Sequence, residues 1–244
     1  MKSDRKYAVV FGASQRLGRA IALYLAQNSY HVAIHYKDDA AGAHKTLRML
    51  QEYDDGSFIF HGDITRVDRI DEMLEKVLSV FDRIDVVVNC ISVFNTAMID
   101  EVDEMRFDAD QAVHQRGPFF LTRALFSLAK QNNSQVALVH LTDAHTIHPK
   151  ASRPSYYTAK SALEAQIRTL AVSVAPFVRI NGVAPGLVIP NSEQEALYFS
   201  KREQQIPLYS LPSPSDVAHA VLFLAENKSI TGQTIIVDGG EWLL

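Results

Sequence analysis

The sequence predicts an α/β fold: one domain built on a doubly wound parallel sheet of about seven strands, with helices on both faces. Three observations predict it. Short apolar runs alternate with amphipathic stretches along the whole chain, the order that sets each strand beside a helix. The runs show little polar alternation, as strands covered on both faces do. A glycine-bearing turn, Gly12 to Gly18, joins the first run to the first helix-like stretch.

The elements follow in order. Tyr7–Phe11 is the first strand and Leu17–Gln27 the first helix, with Ile21 and Leu25 on one face. His31–His35 is a strand, Ala40–Tyr53 a helix and Phe58–Phe60 a third strand. Val67–Phe81 has helical spacing, and Asp85–Asn89 is a buried strand. Asp103–Asn132 is a long helix that Pro118 should kink or divide, because proline has no N–H and crowds the preceding turn. Val136–Leu141, Val178–Ala184 and Thr234–Val237 are the last strands, with Ser155–Ala175 a helix between the first two of them. Ser213-Pro214-Ser215-Asp216 starts another helix: Ser at the N-cap, Pro at N1 and an acid at N3. Residues 187–212 remain as one long irregular connection, and in a compact domain such a loop is often a lid.

Composition narrows the function. The chain has 244 residues, with 24 Lys plus Arg against 28 Asp plus Glu and a net charge of −4. It has no basic stripe for nucleic acid and no apolar stretch of membrane-spanning length. The first six residues run straight into a strand, so no signal peptide is expected. One cysteine, Cys90, cannot form an internal disulfide, and a reducing, cytoplasmic setting is the simple expectation.

The chemistry centres on Asp143 and on Tyr156-Tyr157-Thr158-Ala159-Lys160. Four apart on a helix, Tyr156 and Lys160 share a face. A free phenol has a pKa of about 10, and a neighbouring ammonium favours the phenolate, which suits a general acid. Asp143, after an apolar run, is expected at a strand end facing the same pocket. The turn Gly12-Ala13-Ser14-Gln15-Arg16-Leu17-Gly18 offers helix N–H groups and close backbone approach to a pyrophosphate. At the end of the second strand, where NAD enzymes place an acid, stand Tyr36 and Lys37. A cation suits a 2′-phosphate, so NADPH is expected, although Asp38 and Asp39 offset Lys37. His140, His145 and His148 have no metal-ligand spacing, and no metal is expected.

These motifs resemble those of the short-chain dehydrogenase/reductases over nearly the whole chain. Gly12 and Gly18 match that family's first turn, with Phe11 for its Thr and Arg16 for its middle Gly. Asp63-Ile64, Asn89, the Tyr156/Lys160 pair, Pro185-Gly186 and Val237-Asp238-Gly239-Gly240 match as well. Within the family the chain is most similar to the pteridine and dihydromonapterin reductases. That narrower match rests on Gln15-Arg16-Leu17-Gly18, His35-Tyr36, Ser92, Phe94, Asp143 in place of Ser, Pro185-Gly186-Leu187 and Ile206-Pro207-Leu208-Tyr209.

The resemblance implies a Rossmann-type reductase using NADPH on a pterin or folate, and a homotetramer packed through the helices at 103–132 and 155–175. It implies that Gly12, Arg16, Leu17, Gly18, Tyr36, Lys37, Asp63, Ile64, Asn89, Tyr156, Lys160, Pro185 and Gly186 hold the cofactor. Arg16, Ser92, Phe94, Asp143, Tyr156 and Leu187 would face the substrate, with Phe94 stacking a pterin against the nicotinamide. Asp143, Tyr156 and Lys160 are the expected catalytic groups. His114 stands where many relatives have an Asn that supports a water. It is expected to hold that water or to titrate near neutrality. An ionised Asp143 fits ketone reduction badly, since it would repel a developing oxyanion. It fits a C=N bond, whose reduction ends in a neutral amine. A carbonyl reductase of 3-oxoacyl thioesters and a non-catalytic dinucleotide-binding protein remain as alternatives.

Overall fold

The apolar runs become strands β1 (Lys6–Phe11), β2 (Tyr30–Tyr36), β3 (Phe58–His61), β4 (Val86–Asn89), β5 (Val136–Leu141), β6 (Val178–Pro185) and β7 (Thr234–Val237). In this computed structural model, which describes residues 5–190 and 192–244, they pair in parallel in the order β3-β2-β1-β4-β5-β6-β7. Successive side chains of a strand face opposite ways. Val10, Val88 and Val139 therefore enter one core, and Val9, Val87 and Leu138 the other, all fully buried. Helices α1 (Arg16–Gln27), α2 (Ala40–Leu50) and α8 (Pro214–Glu226) cover the first face through residues such as Ile21, Leu25, Leu50 and Val221. Helices α3 (Ile70–Leu78), α5 (Gly117–Gln131) and α6 (Pro154–Val174) cover the second through Val77, Leu121, Leu125 and Ile167. The strand order reverses between β1 and β4, and in open sheets of this type a crevice forms there at the carboxyl ends.

Several predicted elements change shape. The helix expected over 40–53 ends at Leu50, and that over 67–81 begins as a 3-10 turn, Val67–Arg69, before α3. The long helix is divided, as Pro118 requires, into α4 (Glu104–Gln111) and α5. The break itself is a π-helical turn, Ala112–Arg116, closed by Gly117 N–H donating to Ala112 O. The wider turn takes up the chain where Pro118 has no N–H to give. The connection at 187–212 is not irregular throughout, because it contains α7 (Glu193–Glu203). Ser192 caps α7 by accepting from the Glu195 N–H at 3.2 Å. Acids stand in its first turn and Lys201 and Arg202 in its last. Only Phe199 of α7 is buried, so the stretch has little apolar periodicity to reveal it. Residues 1–4, where the chain was read as running into β1, and residue 191 of the connection lie outside the described residues. The N-cap at Ser213 forms as expected, with Ser213 and Asp216 bonding reciprocally.

Three histidines are buried in this framework: His35 on β2, His140 on β5 and His114 in the π-helical turn. Burial pushes His35 down to about 4, and burial with the nearby Lys160 charge pushes His114 and His140 down to about 3. Each takes up its proton only on unfolding, near 6.5. The folded state therefore binds fewer protons than the unfolded one between pH 6.5 and about 4, and stability falls as pH falls through that window. The expected slope from the three sites is about 4 kcal/mol per pH unit near pH 5. Urea unfolding across pH 4.5–7 measures it, and replacing one of the three by Gln should remove about a third of the slope.

Candidate active site

The carboxyl ends of β1, β4, β5 and β6 open onto a cavity of about 1150 Å3. Gly12, at φ +76, ends β1, and α1 begins at Arg16. A Cβ on Gly18 would lie 2.2 Å from the Gly12 carbonyl oxygen, so the turn closes on itself only with glycine there. Arg16 adopts φ +53, a left-handed conformation that glycine accepts more easily than any side chain. Its guanidinium turns away from the turn. It donates to Ile189 O at 2.6 Å and Pro190 O at 3.3 Å, binding the start of the 187–212 segment. His35 accepts from the Gly12 N–H at 3.3 Å and lies 3.0 Å from Gly62 O, which props the turn from β2.

Of the residues expected to hold cofactor or substrate or to act in catalysis, all but Asn89 line this one cavity. Asn89 lies behind it, buried, with its amide 3.2 Å from His140 Nδ1 and its oxygen accepting from Ile91 N–H. It supports the wall instead of touching the space. Lys37 lines the far end, but its partner is Asp63, at 2.9 Å. Of the two acids expected to offset Lys37, Asp39 caps α2 through Gly42 N–H, while the Asp38 charge does act on Lys37. Asp63 also accepts from Thr65 N–H and Oγ1. Gly186, after β6, packs so tightly on Asp238 that a Cβ would lie 2.6 Å from that side chain.

At the other end lies the group around Tyr156. Its hydroxyl donates to Asp143 Oδ2 at 2.7 Å. Asp143 follows β5 and also closes a turn, its Oδ1 accepting from the His145 N–H at 2.8 Å. The carboxyl thus serves a local turn with one oxygen and the phenol with the other. Burial pulls the Asp143 carboxyl upward, but the bonds and charge of His145, with the Tyr156 hydroxyl, outweigh it and hold it below the usual carboxylate range. Tyr156 moves the opposite way. Burial first, then the Asp143 charge, raises it well above an ordinary phenol, with Ser92 acting weakly against them.

Lys160 does not reverse this. It is fully buried, donates to Leu141 O at 2.8 Å, and lies 5.9 Å from the Tyr156 ring centroid. Burial lowers its own ammonium to about 8. The expectation that Lys160 would bring the phenol down is corrected: Tyr156 is protonated at neutral pH and its hydrogen points at Asp143.

Phe94 is partly exposed in the cavity, edge-on to Tyr156 with centroids 5.0 Å apart. The Arg153 guanidinium sits 3.9 Å from the centroid of its ring. His114 packs edge-on to Tyr156 and its Nε2 is 3.0 Å from Val93 O. Of its two expected roles, titration near neutrality is ruled out, because burial and Lys160 hold it neutral. His114 Nδ1 is buried without a partner, which leaves it able to hold a water. Cys90, just after β4, is only partly buried: it packs against the core and lines the cavity, and desolvation raises its thiol to about 12.

Sequence reasoning missed His145, Glu241, Arg153 and Tyr198. His145 Nδ1 is 3.2 Å from Asp143 Oδ1, and His145 Nε2 is 3.5 Å from Glu241 Oε2. Burial works against the imidazolium, but the two carboxylates outweigh it and raise His145 to about 9. Its place two residues after Asp143 was the available signal. Nothing in the spacing points to Glu241, nearly a hundred positions further on. Among the described residues no helix is long and apolar enough to cross a membrane.

With this geometry in view, the chain can be compared with known proteins. A family model described as enoyl-(acyl carrier protein) reductase matches residues 12–241. Glucose 1-dehydrogenase 2 of Bacillus subtilis is 28% identical, over 96% of this chain and 94% of its own. The 3-oxoacyl-(acyl-carrier-protein) reductase FabG of Staphylococcus epidermidis is 29% identical, over 98% of this chain and 99% of its own. Among solved structures, FolM alternative dihydrofolate reductase 1 of Brucella suis, in complex with NADP, is similar with a TM-score of 0.91 and 27% identity, covering 100% of this chain and 97% of that chain. The FolM protein of Brucella canis, complexed with NADP, is similar with a TM-score of 0.88 and 26% identity, covering 98% and 95%. The match in sequence runs from the first glycine turn to the C-terminal turn and the match in fold takes in the whole sheet, so this chain belongs to the short-chain dehydrogenase/reductase family.

Proposed function

We propose that this chain is an NADPH-dependent reductase of a dihydropterin, of the dihydromonapterin, dihydrobiopterin or dihydrofolate type. The observation that carries the reading is the 2.7 Å bond from Tyr156 to an ionised Asp143. A ketone under reduction becomes an oxyanion, and a carboxylate beside the acid would oppose it. A C=N nitrogen is more basic than a carbonyl oxygen and takes its proton before or as the hydride arrives, so the carboxylate meets a developing cation and the product is a neutral amine. The FolM structures, named as dihydrofolate reductases and solved with NADP, support the same reading.

The residues fit the cofactor. The tight turn at Gly12 and Gly18 presents the open end of α1, which suits a pyrophosphate. Lys37, at the end of β2, is paired with Asp63 at 2.9 Å and would turn from it to meet a 2′-phosphate. Bound NADPH supplies the hydride for the ring carbon of the C=N bond. Tyr156 relays a proton to the ring nitrogen, taking one from solvent as it gives its own, so that the Tyr156–Asp143 pair never carries two negative charges. Asp143 orients the phenol and the ring. Lys160 holds the nicotinamide ribose from its buried position, and Phe94 and Ser92 orient the pterin. Residues 187–212 act as the substrate-binding segment over the cavity, with Tyr198 and Phe199 of α7 on its wall. The chain works as a homotetramer, for which exposed Met105 and Phe107 on α4, Phe119 on α5 and Val172 on α6 offer apolar contact.

FabG and glucose dehydrogenase as relatives favour a second reading, a carbonyl reductase. NADPH oxidation with dihydrobiopterin, dihydromonapterin, dihydrofolate and an acetoacetyl thioester separates the two. Turnover of a dihydropterin and not of the thioester is expected; the reverse would overturn the pterin reading. Asp143→Ser should lower dihydropterin turnover by about 100-fold, the loss typical of a displaced proton donor, and unchanged rates would remove Asp143 from the reaction. Arg16→Gly should raise the KM for the pterin, because the segment at Ile189 and Pro190 loses its tether. Its melting temperature should stay close to that of the unaltered protein, since glycine relieves roughly 1 kcal/mol of left-handed strain.

A further inference from the structure

Asp143 stands at the end of a row of alternating charges. Arg202, in the last turn of α7, places Nε 2.7 Å from Glu241 Oε1. Glu241, in the C-terminal turn Glu241–Leu243, places its other oxygen 3.5 Å from His145 Nε2. His145 Nδ1 meets Asp143 Oδ1 at 3.2 Å, and Asp143 Oδ2 takes the Tyr156 hydroxyl at 2.7 Å. The row is shielded from solvent: the Glu241 side chain is 5% exposed, Asp143 12% and His145 15%. Lys150, His148, Tyr198 and Asp238 line a cavity of about 110 Å3 beside the same ring, Asp238 with its oxygens accepting from the Gly240 and Trp242 N–H groups. A carboxylate thus stands at each end of the imidazole, Asp143 within hydrogen-bond distance and Glu241 at ion-pair distance without a hydrogen bond.

A buried carboxyl with two free oxygens can rotate or take up a proton. Here Oδ1 is held by the His145 ring and amide, so Oδ2 is the oxygen left for the phenol. Without the ring, burial would dominate and the carboxyl would rise. We propose that His145 is a positioning residue, clamped by Glu241 and Arg202, that keeps the Asp143 carboxylate ionised and turned toward Tyr156 and so ties the acid of the site to α7. Its kinetic consequence rests on the reductase reading above; the ion row does not.

The first test needs no substrate. In the full-length protein, ring 13C–1H spectra with His145 assigned through His145→Gln should show it charged through neutrality and titrating more than one pH unit above an ordinary histidine. Glu241→Gln should bring that midpoint down by at least one pH unit. A midpoint near 6.5 in the unaltered protein, or one that Glu241→Gln leaves in place, overturns the proposal. The second test is the pH profile of kcat with NADPH and dihydrobiopterin. His145→Gln should lower kcat about tenfold, leave the KM for NADPH unchanged, and move the acid limb up by one pH unit or more. A uniform loss at every pH would mean a structural role only and would also overturn it. The acid limb is the informative one, because Lys160 titrates on the alkaline side. Failure of every dihydropterin to turn over, with the His145 titration as expected, would sink the substrate reading while leaving the row of charges standing.

Discussion

A single hydrogen bond, Tyr156 to Asp143, governs how the rest of this site has to be built. It joins a buried phenol to a largely buried carboxylate at the wall of the cavity. Two anions could not share that space, so the pair keeps one proton between them, and the structure leaves it on the phenol. Everything nearby is arranged around that choice. His145 neutralises the carboxylate from one side. Lys160 brings a buried positive charge from the next turn of α6, and burial weakens its hold on its own proton. His114 and His140 stay neutral, first because they are buried and then because a further cation beside Lys160 would be costly.

The sheet makes this arrangement possible. Strands buried on both faces leave their carboxyl ends as the open edge, and the reversal of strand order at β1 and β4 keeps helices from closing it. Gly12, Asp143 and Gly186 arrive at that edge from β1, β5 and β6, positions far apart in the chain. The same edge receives α7, whose Arg202 reaches Glu241 and whose Tyr198 and Phe199 line the cavity. Arg16 fastens the start of that segment from the opposite side. The wall over the cavity is therefore held by the charged side chains of Arg16, Arg202 and Lys150, the last bonding Tyr198, and by buried Phe199 and Ile206.

Much of the fold was legible because the signals were redundant. An apolar run, a following amphipathic stretch and a glycine or capping turn all agreed at each step, as at Ser213-Pro214-Ser215-Asp216. Where a single weak signal stood alone, reading failed. Helix α7 buries one residue and is held by its cap and charges, so periodicity did not find it. The division of the long helix was foreseen from Pro118, but the π-helical turn that absorbs it was not, since a missing N–H says only that a bond is lost. In the site, the residue types were legible and their partners were not. Lys37 was weighed against its neighbours Asp38 and Asp39, yet the acid that meets it is Asp63, brought alongside by pairing of β2 with β3.

Sequence alone determined the order of strands and helices, the glycine turn that admits no side chain at Gly18, and the presence of a phenol, a lysine and a carboxylate for one pocket. Those follow from local rules, in which each residue's effect depends on neighbours within a few positions. Only the tertiary structure decided the protonation of that pocket. The direction in which Tyr156 moves depends on the difference between burial, the Asp143 charge and the Lys160 charge. His145 is charged because Glu241 returns to it from the far end of the chain. Electrostatic balance is a property of distances in space, and distances between residues a hundred positions apart do not exist until the sheet has formed.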